Sequence, residues 1–90
     1  MSRPVRFSPD AADDLDRLAA FLVDKSPAAA LRAVGAITHG AESLETFPER
    51  GRPLEGGLRE LVIPFGRYAY VVEYRVDADA VVISRVRQGH

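Results

Sequence analysis

Residues 58–87 read LRELVIPFGRYAYVVEYRVDADAVVISRVR. Val, Ile and Tyr dominate, and their branched or aromatic side chains pack well on a pleated surface. In residues 67–76, Tyr68, Tyr70, Val72, Tyr74 and Val76 fall on one face, with Arg67, Ala69, Val71, Glu73 and Arg75 on the other. One apolar face and one mixed face is the pattern of a sheet covered on one side. Pro64-Phe65-Gly66 and Asp77-Ala78-Asp79 interrupt the run. Both breaks are too short for a crossover, so the stretch predicts three antiparallel strands.

The residues before it read as a cover for that sheet. Residues 3–7 predict a short first strand with Val5 and Phe7 pointing the same way. Ser8-Pro9-Asp10 is a helix start: a serine cap, proline at the first position and an acid in the first turn. This helix is expected to reach about Asp24, with Ala11, Leu15, Leu18, Ala19 and Leu22 on one stripe and Asp10, Asp13, Asp14, Asp16 and Arg17 mostly outward. The aspartates complement the helix dipole, and nothing nearby completes a metal ligand set.

Ser26-Pro27 repeats the start signal. The second helix is expected to run to about Phe47 and to bury Ala30, Val34, Ile37, Ala41 and Leu44. Gly35 and Gly40 each weaken it by roughly 1 kcal/mol relative to alanine, and they permit close packing. The short link makes the two helices an antiparallel hairpin. Pro48 stops the second helix, and PERGRPLEGG at residues 48–57 is the one irregular segment of any length. It carries Arg50 and Arg52, and reads either as a functional loop or as a plain connector.

Ninety residues make one domain, spanning 1–90. The expected fold is α+β in β-α-α-β-β-β order, a helical hairpin on one face of a mainly antiparallel four-stranded sheet. There is no cysteine, which excludes disulfides and thiolate metal sites. No apolar run is long enough to span a membrane and the N-terminus lacks a signal-peptide pattern, so a cytoplasmic location is expected. The net charge of −1 hides an asymmetry: residues 1–49 carry five basic and eight acidic side chains, residues 50–90 seven arginines and five acids. Arginine suits planar contacts with carboxylate or phosphate, so the sheet half suits an anionic partner; any single arginine can equally be a solvated strand-edge charge. Glycines lack phosphate-loop spacing, two histidines and dispersed acids do not make a zinc site, and no Ser/His/Asp arrangement is legible. No metal or cofactor is expected.

The ordered set of strand, helix hairpin, Phe47-Pro48 through Arg52-Pro53, Leu58-Arg59-Glu60-Leu61 and a strand ending Tyr74-Arg75-Val76 resembles the RelE/ParE superfamily of bacterial type II toxins, nearer the ParE-like or plasmid-stabilisation branch. The resemblance covers nearly the whole chain. It implies a growth-inhibiting toxin held inactive in a hetero-oligomer with a cognate ParD- or RelB-like antitoxin. ParE-like members act on DNA gyrase; RelE-like members cleave mRNA in the ribosome.

RNA cleavage without a metal needs a base for the 2′-hydroxyl, charge stabilisation at phosphate and an acid for the leaving oxygen. By resemblance, Arg59, Arg85 and Arg87 are candidates for the phosphate, His90 for the acid, and Glu73 or Glu60 for the base. The chain departs from the nuclease pattern. Its one lysine is Lys25, on the helix hairpin, and Gln88-Gly89 stands where many relatives have His-Gly. The expectation is therefore gyrase inhibition, with Arg59, Arg67, Arg85 and Arg87 contacting the target and mRNA cleavage as the alternative. A toxin fold without toxicity and a peptide-binding module also remain open.

Individual residues carry bland readings beside these. Arg59 shares a face with Leu61 and Ile63, so it either functions or packs its stem over them. Arg85 and Arg87 are expected on the face of Val81 and Ile83, with Glu73 as an ion-pair partner. Tyr68, Tyr70 and Tyr74 read as core rather than as base-stacking platforms. His39, mid-helix, reads as a surface or half-buried residue. Phe21, Leu31 and Phe47 are the candidate antitoxin contacts.

Overall fold

Two Ser-Pro pairs start the two helices. In the computed structural model, which describes residues 3–89, α1 spans Pro9–Val23 and α2 spans Pro27–Ser43. The Ser8 and Ser26 hydroxyls accept hydrogen bonds from the amides of Ala11 and Ala29, satisfying donors that have no partner within the helix. The second helix stops earlier than its apolar spacing suggests. Leu44 and Glu45 donate to the carbonyls of Ala41 and Glu42, so the last turn tightens before Phe47-Pro48, where proline disfavours helical backbone at the residue before it.

The strands are β1 (Val5–Phe7), β2 (Arg52–Pro53), β3 (Leu58–Phe65), β4 (Tyr68–Val76) and β5 (Val81–Gly89). They form one five-stranded sheet in the order β1-β5-β4-β3-β2, one strand more than expected. The addition is β2, two residues of the irregular segment that pair with Glu60 and Arg59. The β3–β4 and β4–β5 pairs are antiparallel, while β1 lies parallel to β5, so the first and last strands of the chain meet with the helix hairpin, β2, β3 and β4 between them in sequence. The β3–β4 turn is Gly66-Arg67, later than the Pro64-Phe65-Gly66 break implies, and Gly66 supplies its positive φ of 59°.

The core lies between the hairpin and the inner face of the sheet. Ile37 from the second helix and Leu44, the residue that caps it, meet Val72, Tyr74, Val81 and Ile83, all fully buried. Each such side chain contributes about 1.5–3 kcal/mol through removal from water. Gly40 permits the closest approach: a Cβ there would stand 2.6 Å from the Cδ1 of Ile63. Tyr70 and Tyr74 are core residues, but Tyr68 sits beyond the cover of the helices and is 56% exposed.

A register shift reorganises the end of the sheet. Glu73 pairs with Arg85 and Tyr74 with Ile83, so Ser84 is an extra residue opposite this step. A one-residue bulge reverses the facing of everything beyond it. Arg85 and Arg87 therefore leave the face of Val81 and Ile83, where strict alternation would put them. Val86 takes the inner position opposite Val72.

Candidate functional site

Arg59 and Tyr74 project from the inner face toward the segment after α2. Arg59 donates from Nη1 to the carbonyls of Gly51 at 2.7 Å and Glu49 at 3.3 Å. The Tyr74 hydroxyl donates to the Pro48 carbonyl at 2.7 Å and accepts the Gly51 N–H at 2.8 Å. Burial pushes this hydroxyl's pKa up, which keeps it protonated and able to donate. Gly51 is required here, since a Cβ would stand 2.7 Å from both the Glu60 carbonyl and the Tyr74 hydroxyl. The irregular segment is thus a held loop, and it presents Phe47, which is 65% exposed.

Asp14 is the largest departure from expectation. It is buried, not outward. Its carboxylate accepts Arg85 Nε at 2.9 Å, Arg85 Nη2 at 3.0 Å and the Val86 amide at 2.9 Å. The edge of β5 is uncovered past Ile83 because β1 ends, and a side chain of α1 takes the amide that a longer strand would have taken. The Arg85 guanidinium holds the Asp14 carboxyl below its ordinary value of 3.8; burial opposes this, and the Val86 amide adds to it. The signal was in the spacing: Ala11, Asp14, Leu15 and Leu18 make an i, i+3, i+4, i+7 stripe.

On the outer face, Glu60 accepts Arg52 on Oε1 at 2.8 Å and Arg87 on Oε2 at 3.0 Å. Arg87 also reaches Glu73 at 3.4 Å. Glu73 thus pairs with Arg87, whereas the partner of Arg85 is Asp14. Arg67 lies in the exposed hairpin turn, roughly 20 Å along the strand from Arg59. The four arginines singled out from the sequence do not converge. His90 lies outside the described residues, and His39 is exposed on α2. Among the described residues, no three His, Asp or Glu side chains cluster as metal ligands. No helix among them is long and apolar enough to cross a membrane.

The apolar candidates are all on the surface. Leu31 is 77% exposed and borders a groove between the helices with Ala20, Val23, Pro27 and Val34. Phe21 is 57% exposed and, under the Lys25 ammonium at 4.8 Å, borders a second depression with Phe65, Tyr68 and Tyr70. Phe47 lines a third with Thr46 and Pro48. These positions form a discontinuous track over the hairpin and loop.

The family described as the ParE toxin of the type II toxin-antitoxin system, parDE, matches residues 5–90. Toxin RelE3 of Caulobacter vibrioides is 41% identical over 85 residues, covering 94% of this chain and 92% of the relative. Toxin RelE1 of the same organism is 37% identical, covering 99% and 96%. A solved chromosomal ParDE system from P. aeruginosa superposes with a TM-score of 0.83 at 27% identity, over 99% of this chain and 98% of the other. The RelBE2 toxin-antitoxin complex from Mycobacterium tuberculosis gives 0.68 at 28% identity, over 98% and 99%. Fold, segment order and sequence agree that this chain belongs to the ParE/RelE family of type II toxins.

Proposed function

We propose that the chain arrests growth by binding DNA gyrase in the cytoplasm, and that a cognate antitoxin neutralises it by lying across Phe21, Leu31 and Phe47. The observation that carries the gyrase reading is the state of the arginines. Arg59 is committed to loop carbonyls, Arg85 to Asp14, and Arg87 to Glu60 and Glu73. Both carboxylate oxygens of Glu60 are engaged by guanidinium groups. A phosphate-cleaving site needs convergent cations and a free base, and this arrangement provides paired charges spread over a sheet. Arg67 in the exposed turn, and the half-exposed side of Arg87 within its pairs with Glu60 and Glu73, face the target, while Arg59 and Arg85 position the loop and the β5 edge. The higher TM-score with the ParDE toxin supports the same reading.

Ribosome-dependent mRNA cleavage is the second reading, favoured by the relatives named RelE1 and RelE3. Pulse-labelling after induction without antitoxin separates the two. Thymidine incorporation falling before methionine incorporation is the expected result. The reverse order would establish the nuclease reading.

A further inference from the structure

Both α1 and α2 pack on the inner face of the sheet, and among the described residues no α-helix covers the outer face. Register places Leu58, Arg75, Val82 and Arg6 in one row across four strands. Arg6 and Arg75 are exposed and flank the half-buried Val82. Among the described residues neither has a carboxylate within ion-pair distance. Two strand spacings separate them, so their stems rise about 10 Å apart. Arg75 is braced, because Nη1 donates to the Gly56 carbonyl at 3.0 Å. A Cβ on Gly57 would stand 3.0 Å from the same nitrogen, so glycine leaves room for the brace.

Further along the face, Val62, Val71 and Arg87 form a row, with Pro64 and Ala69 beyond. Val62 is 50% exposed. The strand positions on this face hold five arginines and two glutamates, and no aromatic residue; Tyr68, Tyr70 and Tyr74 point the other way. Single-stranded nucleic acid is held by aromatic stacking platforms inside an unbroken cationic groove. This face has aliphatic side chains and two carboxylates in those places. A protein segment with carboxylates and aliphatic residues matches both features. The opposite side of the molecule repels such a segment, since the two helices carry five acids and two basic residues.

We infer that the outer sheet face binds an acidic, aliphatic-rich segment of the target protein, with Arg6 and Arg75 clamping its carboxylates and Val62 meeting its apolar side chains. This rests on the reading that the chain acts by binding a protein. The test is an amide-shift titration of the purified chain with two probes at low ionic strength: a decapeptide alternating glutamate and valine, and an oligothymidylate of equal charge. The peptide is expected to shift Arg6, Leu58, Arg75 and Val82, with affinity at least about tenfold above the oligonucleotide. Arg6→Gln with Arg75→Gln should remove that advantage, while Arg32→Gln on α2 should leave it intact. Both arginines are exposed, and an unchanged melting temperature verifies the fold of the variant. Absence of shifts at these residues, or tighter oligonucleotide binding, overturns the inference. A gyrase supercoiling assay run alongside keeps the two proposals separate. A wild-type chain that binds the peptide but leaves gyrase active discards the gyrase reading alone. A double variant that inhibits gyrase as the wild type does discards this surface alone.

Discussion

Arg59 and Tyr74 are direct partners across β3 and β4, and both spend their polar groups on one loop. Between them they satisfy the carbonyls of Pro48, Glu49 and Gly51 and the Gly51 amide. Arg59 is therefore explained by structure before any contact with a target is considered.

Tyr74→Phe keeps the ring and deletes both hydroxyl bonds, leaving the buried Gly51 amide without its acceptor. The expected loss is about 1–3 kcal/mol. For a domain of this size each kcal/mol is roughly 4–8 °C in melting temperature. In a double-mutant cycle with Arg59→Gln, the two losses should fall short of adding by about 0.5 kcal/mol or more, since they share a loop. Strict additivity in thermal or urea unfolding would show that the clamp is two independent contacts.

Asp14→Asn tests the helix-to-edge bond by its pH dependence. The folded pKa is lowered, so the stabilisation is complete above the ordinary value of 3.8 and is lost as pH falls through the folded value. The variant should be less stable than the wild type near neutrality by about 1–2 kcal/mol, a charged hydrogen bond discounted for solvent screening because Arg85 is half exposed. The gap should close in acid. A gap that stays constant from neutral pH to the acid limit in urea titrations would contradict the assignment.

The two mid-helix glycines of α2 should respond with opposite signs. Nothing stands within 4 Å of a Cβ at Gly35, so Gly35→Ala should stabilise by about 1 kcal/mol. At Gly40 the same change drives a methyl to within 2.6 Å of Ile63, and overpacking of this kind costs about 1–3 kcal/mol less the helix gain. Melting temperatures of the two variants settle both.

Leu31→Ala, Phe21→Ala and Phe47→Ala remove exposed side chains, so stability should change by within about 0.5 kcal/mol. If these residues anchor the antitoxin, affinity should fall by about tenfold or more for at least one of them. Calorimetric titration with unchanged affinity for all three would move the antitoxin off this track.

The helices, the meander and their order were determined by local chemistry. Ser-Pro starts, the i, i+3, i+4 apolar stripes and period-two alternation act within a few residues, and so they are legible in a single chain. The exposure of Phe21, Leu31 and Phe47 was legible in the same way; close packing was expected at both Gly35 and Gly40, and only Gly40 has it, since nothing stands within 4 Å of a Cβ at Gly35. The tertiary structure decided what depends on who meets whom. It buried Asp14, because the edge of β5 runs out of strand partner where α1 passes over it. It turned Arg85 and Arg87 to the other face through one extra residue at Ser84, and alternation along one strand cannot reveal a bulge set by its neighbour's register. It assembled Leu58, Arg75, Val82 and Arg6 into a row from strands far apart in sequence, Arg6 joining it only because β5 comes back alongside β1 in parallel.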